Sequence, residues 1–242
     1  MSRWRRRPER PWVLGHRGAS AHATENTLAA FARARADGAD GVELDVVPCA
    51  SGEALVFHDD DLRRLAGRPE RICDLGFPAL RDLRLTGGEA IPTLDEVMEV
   101  LGDLMVNVEL KAPVGPAGLS LARTMAAHIG RAAWREQVLV SSFNPIALGL
   151  FRALAPSVPT GLLFHPDQAR PLREGWARHV LRPQAVHPEH TQIDPGTIAR
   201  WRSEGYLVNT WTVDDAAELR RLAALGVDAV ICNDPGAALA AL

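Results

Sequence analysis

Gly41-Val42-Glu43-Leu44-Asp45-Val46 places two acids inside what is otherwise a buried apolar strand. Side chains alternate faces along a strand, so Glu43 and Asp45 point one way while Val42, Leu44 and Val46 point the other. Two like charges on one buried face repel each other and lose water, at roughly several kcal/mol each, unless a cation or hydrogen-bond donors compensate. The partner is either an arginine, which would be structural, or a metal ion. Upstream, Trp12-Val13-Leu14-Gly15-His16-Arg17 is a short apolar run that opens into a loop at Gly18. Asn26 to Asp37 follows as a helix, with Leu28, Phe31 and Ala32 on one face and Gly38 as its stop. Strand, helix and strand in this order make a βαβ beginning.

The same alternation continues to the end of the chain. Further strands are expected at Met105 to Lys111, Gln137 to Ser142, Thr160 to Phe164, Gln184 to Glu189, Tyr206 to Thr212 and Asp228 to Cys232, eight in all with the first two. Thr93 with Glu96 and Asp215 with Glu218 have capping-box spacing, and Asn144-Pro145 sets proline in a first helical turn. Gly102, Gly130, Gly205 and Gly226 stand where helices should stop. Eight strands alternating with helices over about 250 residues predict an α/β fold, a (β/α)8 TIM barrel with its site at the C-terminal strand ends. Ala54-Leu55-Val56-Phe57-His58 breaks the rhythm, since Pro48 to Glu53 is too short for a parallel crossover of about a dozen residues. It is expected to return as an antiparallel arm. Residues 59–91 then form a polar insertion beside the mouth, so that residues 11–242 are one barrel domain carrying an insertion at about 48–91.

Composition narrows the partners. A net charge of -3 argues against nucleic acid, and no apolar run approaches the ~18 residues of a transmembrane segment. Cys49, Cys73 and Cys232 are odd in number and lack CxxC spacing, which suggests reduced thiols in a cytoplasmic protein; separately, the chain is expected as a monomer or homodimer. Arg3, Arg5, Arg6, Arg7 and Arg10 make residues 1–10 a basic segment, expected as a disordered, solvated tail. Of 27 Lys plus Arg only Lys111 is lysine, a hint that its position needs a compact ammonium and not a planar fork.

The polar residues fall at strand ends: His16-Arg17 on the first, Glu43 and Asp45 on the second, His58-Asp59 on the arm, Glu109 and Lys111 on the third. Asn107, Glu109 and Lys111 share one face, in the same phase as the acids of the second strand. Carboxylates without thiolates make a hard, oxygen-rich site suited to Mg²⁺ or Ca²⁺.

This set resembles the glycerophosphodiester phosphodiesterase family. The resemblance is carried by His16-Arg17-Gly18, Glu25-Asn26-Thr27, Val42-Glu43-Leu44-Asp45-Val46, Val56-Phe57-His58-Asp59, Ile91-Pro92-Thr93-Leu94, Glu109-Leu110-Lys111, Ser141-Ser142-Phe143 and Trp211-Thr212-Val213. These motifs keep the family's order from about residue 12 to 236. The resemblance implies metal-dependent hydrolysis of a glycerophosphodiester substrate to sn-glycerol 3-phosphate and an alcohol. It also implies that Glu43, Asp45 and Glu109 hold one divalent cation, that His16 and His58 are the general acid/base pair, and that Arg17 and Lys111 contact phosphate. Trp211 would pack on the glycerol, with ordinary core packing as its alternative. Ile231-Cys232-Asn233-Asp234-Pro235 departs from the Thr-Asp that the family often carries before this proline, and the insertion is short beside that of many relatives.

Other readings remain open from sequence. A phospholipase C or D type phosphodiesterase is the nearest. A lyase using Lys111 as a Schiff base would need an apolar surround that lowers its pKa, and a binding-only barrel would have lost a ligand or a histidine. Glu189 and His187 are further candidates for the mouth. Ser142 lacks a GxSxG elbow, and His22, His128, His165, His179 and His190 fit no motif.

Overall fold

The computed structural model describes residues 3–7 and 9–242. Its elements run β1 (Trp12–His16), α1 (Leu28–Ala36), β2 (Gly41–Pro48), β3 (Ala54–Val56), α2 (Arg63–Ala66), α3 (Phe77–Arg81), α4 (Leu94–Leu101), β4 (Met105–Leu110), α5 (Pro116–Arg131) and β5 (Val138–Ser142). There follow α6 (Pro145–Leu154), β6 (Thr160–Phe164), α7 (Arg170–Arg173), α8 (Arg178–Leu181), β7 (Ala185–Pro188), α9 (Pro195–Ser203), β8 (Leu207–Thr210), α10 (Ala216–Leu225), β9 (Ala229–Cys232) and α11 (Pro235–Ala241). The sheet order is β1-β9-β8-β7-β6-β5-β4-β2-β3, and β1 also pairs with β2, which closes the barrel. Every pairing among these barrel strands is parallel; β3 alone is antiparallel, against the C-terminal end of β2 through Val46↔Val56 and Pro48↔Ala54. The (β/α)8 TIM barrel and its antiparallel arm are therefore both present.

Local chemistry explains where the helices start. Thr93 and Glu96 form a reciprocal capping box on α4, and Asn144 accepts from the amides of Ile146 and Ala147 with Pro145 behind it. Asp215 caps α10, but Glu218 does not complete the box; its carboxylate turns to His190 and Arg221 instead. Gly102 and Gly226 cap α4 and α10, whereas Gly130 lies inside α5, which runs on to Arg131 and ends at Ala132. Two glycines are required by close approach. A Cβ on Gly18, whose φ is +86°, would lie 2.6 Å from the Ala30 carbonyl carbon, and one on Gly41 would collide with the Met105 carbonyl oxygen of the neighbouring strand.

The main core lies between the barrel and its helices, with Phe31, Leu44, Val108, Phe151 and Trp201 among its members. The insertion has a core of its own: Leu62, Leu65, Ile72, Leu80, Leu83 and Leu85 pack with Leu55 and Phe57 of the arm. It is thus less polar than its glycines and prolines imply. The basic N-terminal segment also differs from a free tail. Trp4 is 7% exposed and packs with Leu14, Met105, Leu139, Ala185 and Ala229, while its indole donates to the Gln137 carbonyl at 2.9 Å. Arg6 donates to the Tyr206 carbonyl, and Arg7 and Arg10 both pair with Asp40. These partners sit at the N-terminal ends of the strands, so the segment covers the floor of the barrel, opposite the mouth.

Candidate active site

Register sets the site. Glu43 pairs with His16 on one side and Asn107 on the other, while Asp45 pairs with Glu109 and Glu109 with Ser141, giving two polar rungs inside the barrel. The arm adds the next piece: the Phe57 amide donates to the Asp45 carbonyl at 3.1 Å, which hangs His58 above the second strand. The Lys111 amide donates to the Val46 carbonyl, so the lysine leaves β4 beside the same two acids. One cavity of ≈ 530 Å³ is lined by His16, Arg17, Glu43, His58, Glu109, Lys111 and Trp211. Asp45 stands behind them, 1% exposed.

Ligand atoms of Glu43, Asp45 and Glu109 lie within 4.8 Å of one another. Oxygens around one Mg²⁺ or Ca²⁺ at roughly 2.0–2.6 Å can be separated by at most about 5 Å, so the three fit a single ion. The electrostatics ask for one. Burial first, then the charges of Asp45 and Glu109, push the Glu43 carboxyl well above its ordinary range, and burial likewise lifts Glu109 to about 7 despite Lys111. Lys111 Nζ is 2.8 Å from Glu109 and 3.3 Å from Asp45, yet Asp45 Oδ1 has no aligned hydrogen bond. The other Asp45 oxygen accepts from Asn26 Nδ2 at 2.9 Å and faces Arg17 Nε at 3.2 Å. Arg17 and Asn26 both hold φ at +55°, an uncommon conformation for residues other than glycine, on the loop that grips this acid.

Each histidine has a defined ring orientation. His58 Nδ1 is 2.6 Å from Asp59 Oδ1, and an ionised carboxylate only accepts, so Nδ1 carries the proton and Nε2 is free. His16 Nδ1 is 2.8 Å from Asn233 Oδ1, whose own amide nitrogen is committed to Asp214, so this ring also donates through Nδ1. His16 Nε2 faces Glu43 at 4.0 Å. Burial holds both histidines below the ordinary pKa, with Arg17 adding to the effect at His16. Across the cavity, Phe143 stands edge-on to Trp211 and His165, with ring centroids 5.5 and 5.7 Å apart.

The match to a family model then decides the affiliation: residues 16–237 fit the glycerophosphoryl diester phosphodiesterase family. The chain belongs to that family. A glycerophosphodiester phosphodiesterase of Caldanaerobacter subterraneus subsp. tengcongensis is 33% identical over 234 residues, covering 92% of this chain and 94% of the relative. Among solved structures, an Oleispira antarctica phosphodiesterase in complex with the product sn-glycerol-3-phosphate superposes with a TM-score of 0.87 at 28% identity, covering 96% of each chain. A glycerophosphodiester phosphodiesterase from Thermotoga maritima gives 0.80 at 29% identity, covering 97% of this chain and 99% of the other. As a member of this phosphodiesterase family the protein is a phosphoric diester hydrolase. Among the described residues, no helix is long and apolar enough to cross a membrane.

The phosphodiesterase fold also recruits residues that sequence reasoning passed over. Asn233, in the stretch that departs from the family's usual pattern, holds His16. Asn107 lines the cavity with neither of its side-chain polar atoms hydrogen-bonded. Glu189 lines the mouth, whereas His187 is fully buried, accepts from Asn209 Nδ2 at 2.9 Å and is driven by burial to a pKa of about 3, so it is neutral. Trp211 is tied by its indole to the His187 carbonyl at 3.0 Å.

Proposed function

We propose that this phosphodiesterase hydrolyses glycerophosphodiesters to sn-glycerol 3-phosphate and an alcohol, using Glu43, Asp45 and Glu109 to hold one divalent cation, Mg²⁺ or Ca²⁺. The observation that carries the reading is the convergence of three buried carboxylates with two oriented histidines in one cavity. The chain's donor set fits a hard cation: it is all oxygen, it includes a buried Asp45 oxygen with no aligned hydrogen bond, and its three carboxylates outnumber the two cations, Lys111 and Arg17, beside them. When bound, the cation would supply Lewis-acid stabilisation of charge on phosphoryl oxygens.

The protein's own groups supply the rest. Lys111 and Arg17 line the cavity beside the carboxylates and would draw the phosphate toward them. One histidine takes the proton of the substrate's glycerol 2-hydroxyl as it attacks phosphorus, while the other protonates the departing alkoxide. The product is a cyclic phosphate, which water opens by the reverse proton transfers. In both rings Nε2 is the exchanging atom, because Nδ1 is engaged by Asp59 or Asn233; the ring that serves as acid enters the step as the imidazolium, with Nε2 also protonated. Trp211, braced by Phe143, offers an apolar wall for the glycerol carbons.

A Schiff-base lyase is disfavoured. That chemistry needs a lysine with a lowered pKa, whereas at Lys111 the pull of Glu109 and Asp45 outweighs burial and raises it. Three free cysteines suit a reducing, cytoplasmic setting. The test is a panel of glycerophosphodiesters assayed for glycerol 3-phosphate release with EDTA and with added metals. Release should vanish in EDTA and return with Mg²⁺ or Ca²⁺; full activity in EDTA would remove the cation from the mechanism.

A further inference from the structure

We propose that Arg64, on the short helix α2 of the insertion, is a positioning residue that aligns His58 and Arg17 at the same time. Its guanidinium is shared between two carboxylates, each held two-pronged. Nε and Nη2 donate to Asp59 at 2.8 and 3.0 Å, and Nη1 and Nη2 donate to Glu25 at 2.7 Å each. Asp59 in turn fixes His58 Nδ1 at 2.6 Å, and Glu25 accepts from Arg17 Nη1 at 2.7 Å. Arg17 Nε then meets Asp45 at 3.2 Å. A continuous line of charge thus runs from one proton-transferring ring, through the insertion, to the acids at the base of the cavity.

The geometry is more specific than a surface staple requires. Exposed ion pairs contribute about 0–1 kcal/mol, and a lysine would serve for that. A planar fork with two edges engaged instead fixes the plane of each carboxylate, and the plane of Asp59 fixes the plane of the His58 ring. The charges agree with this arrangement. Burial opposes ionisation of Glu25, but Arg64 and Arg17 hold its carboxyl down at about 2, and Asp59 is likewise lowered against burial by Arg64 and His58. Both acids are therefore pure acceptors at neutral pH, as the ring orientation demands. Arg64 is not among the residues that line the cavity, and its hydrogen bonds go to Asp59 and Glu25 and not to the three carboxylates of the cation site, so it acts through those two acids.

The inference rests on the hydrolytic reading above for its kinetic part and is independent of it for its spectroscopic part. In protein labelled with ¹⁵N-histidine, His58 should show an Nδ1-protonated ring with a downfield proton. In Arg64→Ala that proton signal should broaden or move upfield, and the population of the other tautomer should rise. Glycerophosphodiester turnover by Arg64→Ala should fall roughly 10- to 100-fold in kcat with KM changed less than about threefold. Arg64→Lys, which keeps the charge and loses the fork, should recover only part of that loss and serves in place of the alanine variant if the latter does not fold. Asp59→Asn should cost a similar factor, and the double variant should be no worse than the worse single one. An unchanged His58 signal in Arg64→Ala would overturn the proposal whether or not the wild type turns over substrate. So would full activity of the folded variant, or losses that multiply in the double variant. A wild type inert on every glycerophosphodiester would instead overturn the hydrolytic reading and leave the spectroscopic result to decide this one.

Discussion

A cation entering this site must displace protons, and the burial of its carboxylates sets the direction of the pH dependence. Burial lifts the Glu109 carboxyl to about 7 and Glu43 moves the same way, so below neutrality the cation-free protein holds protons where the ion would sit. A raised carboxylate pKa means the ionised form is scarce below it, and affinity for Mg²⁺ or Ca²⁺ must weaken as pH falls. Each displaced proton costs about tenfold per pH unit. From Glu109 alone, apparent affinity at pH 5 should be roughly 100-fold weaker than above pH 7, about 3 kcal/mol. Glu43 steepens the slope further. The assay is calorimetric titration of the EDTA-stripped protein with each cation at pH 5, 6, 7 and 8, in buffers of differing ionisation enthalpy so that released protons are counted. At least about one proton should leave per cation at pH 6, and Glu109→Gln should flatten the dependence as well as weaken binding. Equal affinities at pH 5 and pH 8 with no proton release would refute the assignment of these carboxylates as the ligands.

Two further outcomes are expected. His16→Ala and His58→Ala should each lower kcat by about 10²-fold or more while leaving the thermal transition within a few degrees of wild type, checked by glycerol 3-phosphate release and calorimetry; near-normal turnover in either would take that ring out of the mechanism. Trp4→Ala removes a large side chain that is 7% exposed, so it should destabilise the fold by about 3 kcal/mol or more, measured by urea unfolding. A free basic tail would tolerate that change without effect.

Much of the fold is written in local periodicity. The strand expected at Thr160 to Phe164 has those ends in the structure, and the shared phase of Glu43, Asp45 and Glu109 was readable because a strand repeats every two residues. Features set by distant contacts were not readable. Trp4 has no periodic neighbours, and its burial depends on five strands that arrive later in the chain. The insertion's leucines sit on helices of only four and five residues and on the turns around them, too short for a sustained period, so its small core carried no pattern. Gly130 continues α5 because helix-stopping by glycine needs the left-handed conformation, which Gly130 does not adopt. In the site, the chemistry-bearing residues were legible from their types, but their supports were not: Asn233 meets His16 from 217 positions away, and Arg64 is one arginine among 26 until α2 brings it to Glu25.

The lone lysine has a practical consequence. Apart from the α-amine, Lys111 is the only primary amine the sequence offers, and it is held between Glu109 and Asp45. Because those carboxylates raise its pKa and hold it as the ammonium, Lys111 should resist acylation, and loss of that resistance in Glu109→Gln, read from intact mass, becomes a gauge of the ion pair. Attachment chemistry that must leave the cavity open has a better handle in the exposed thiol of Cys73, since Cys49 and Cys232 are buried.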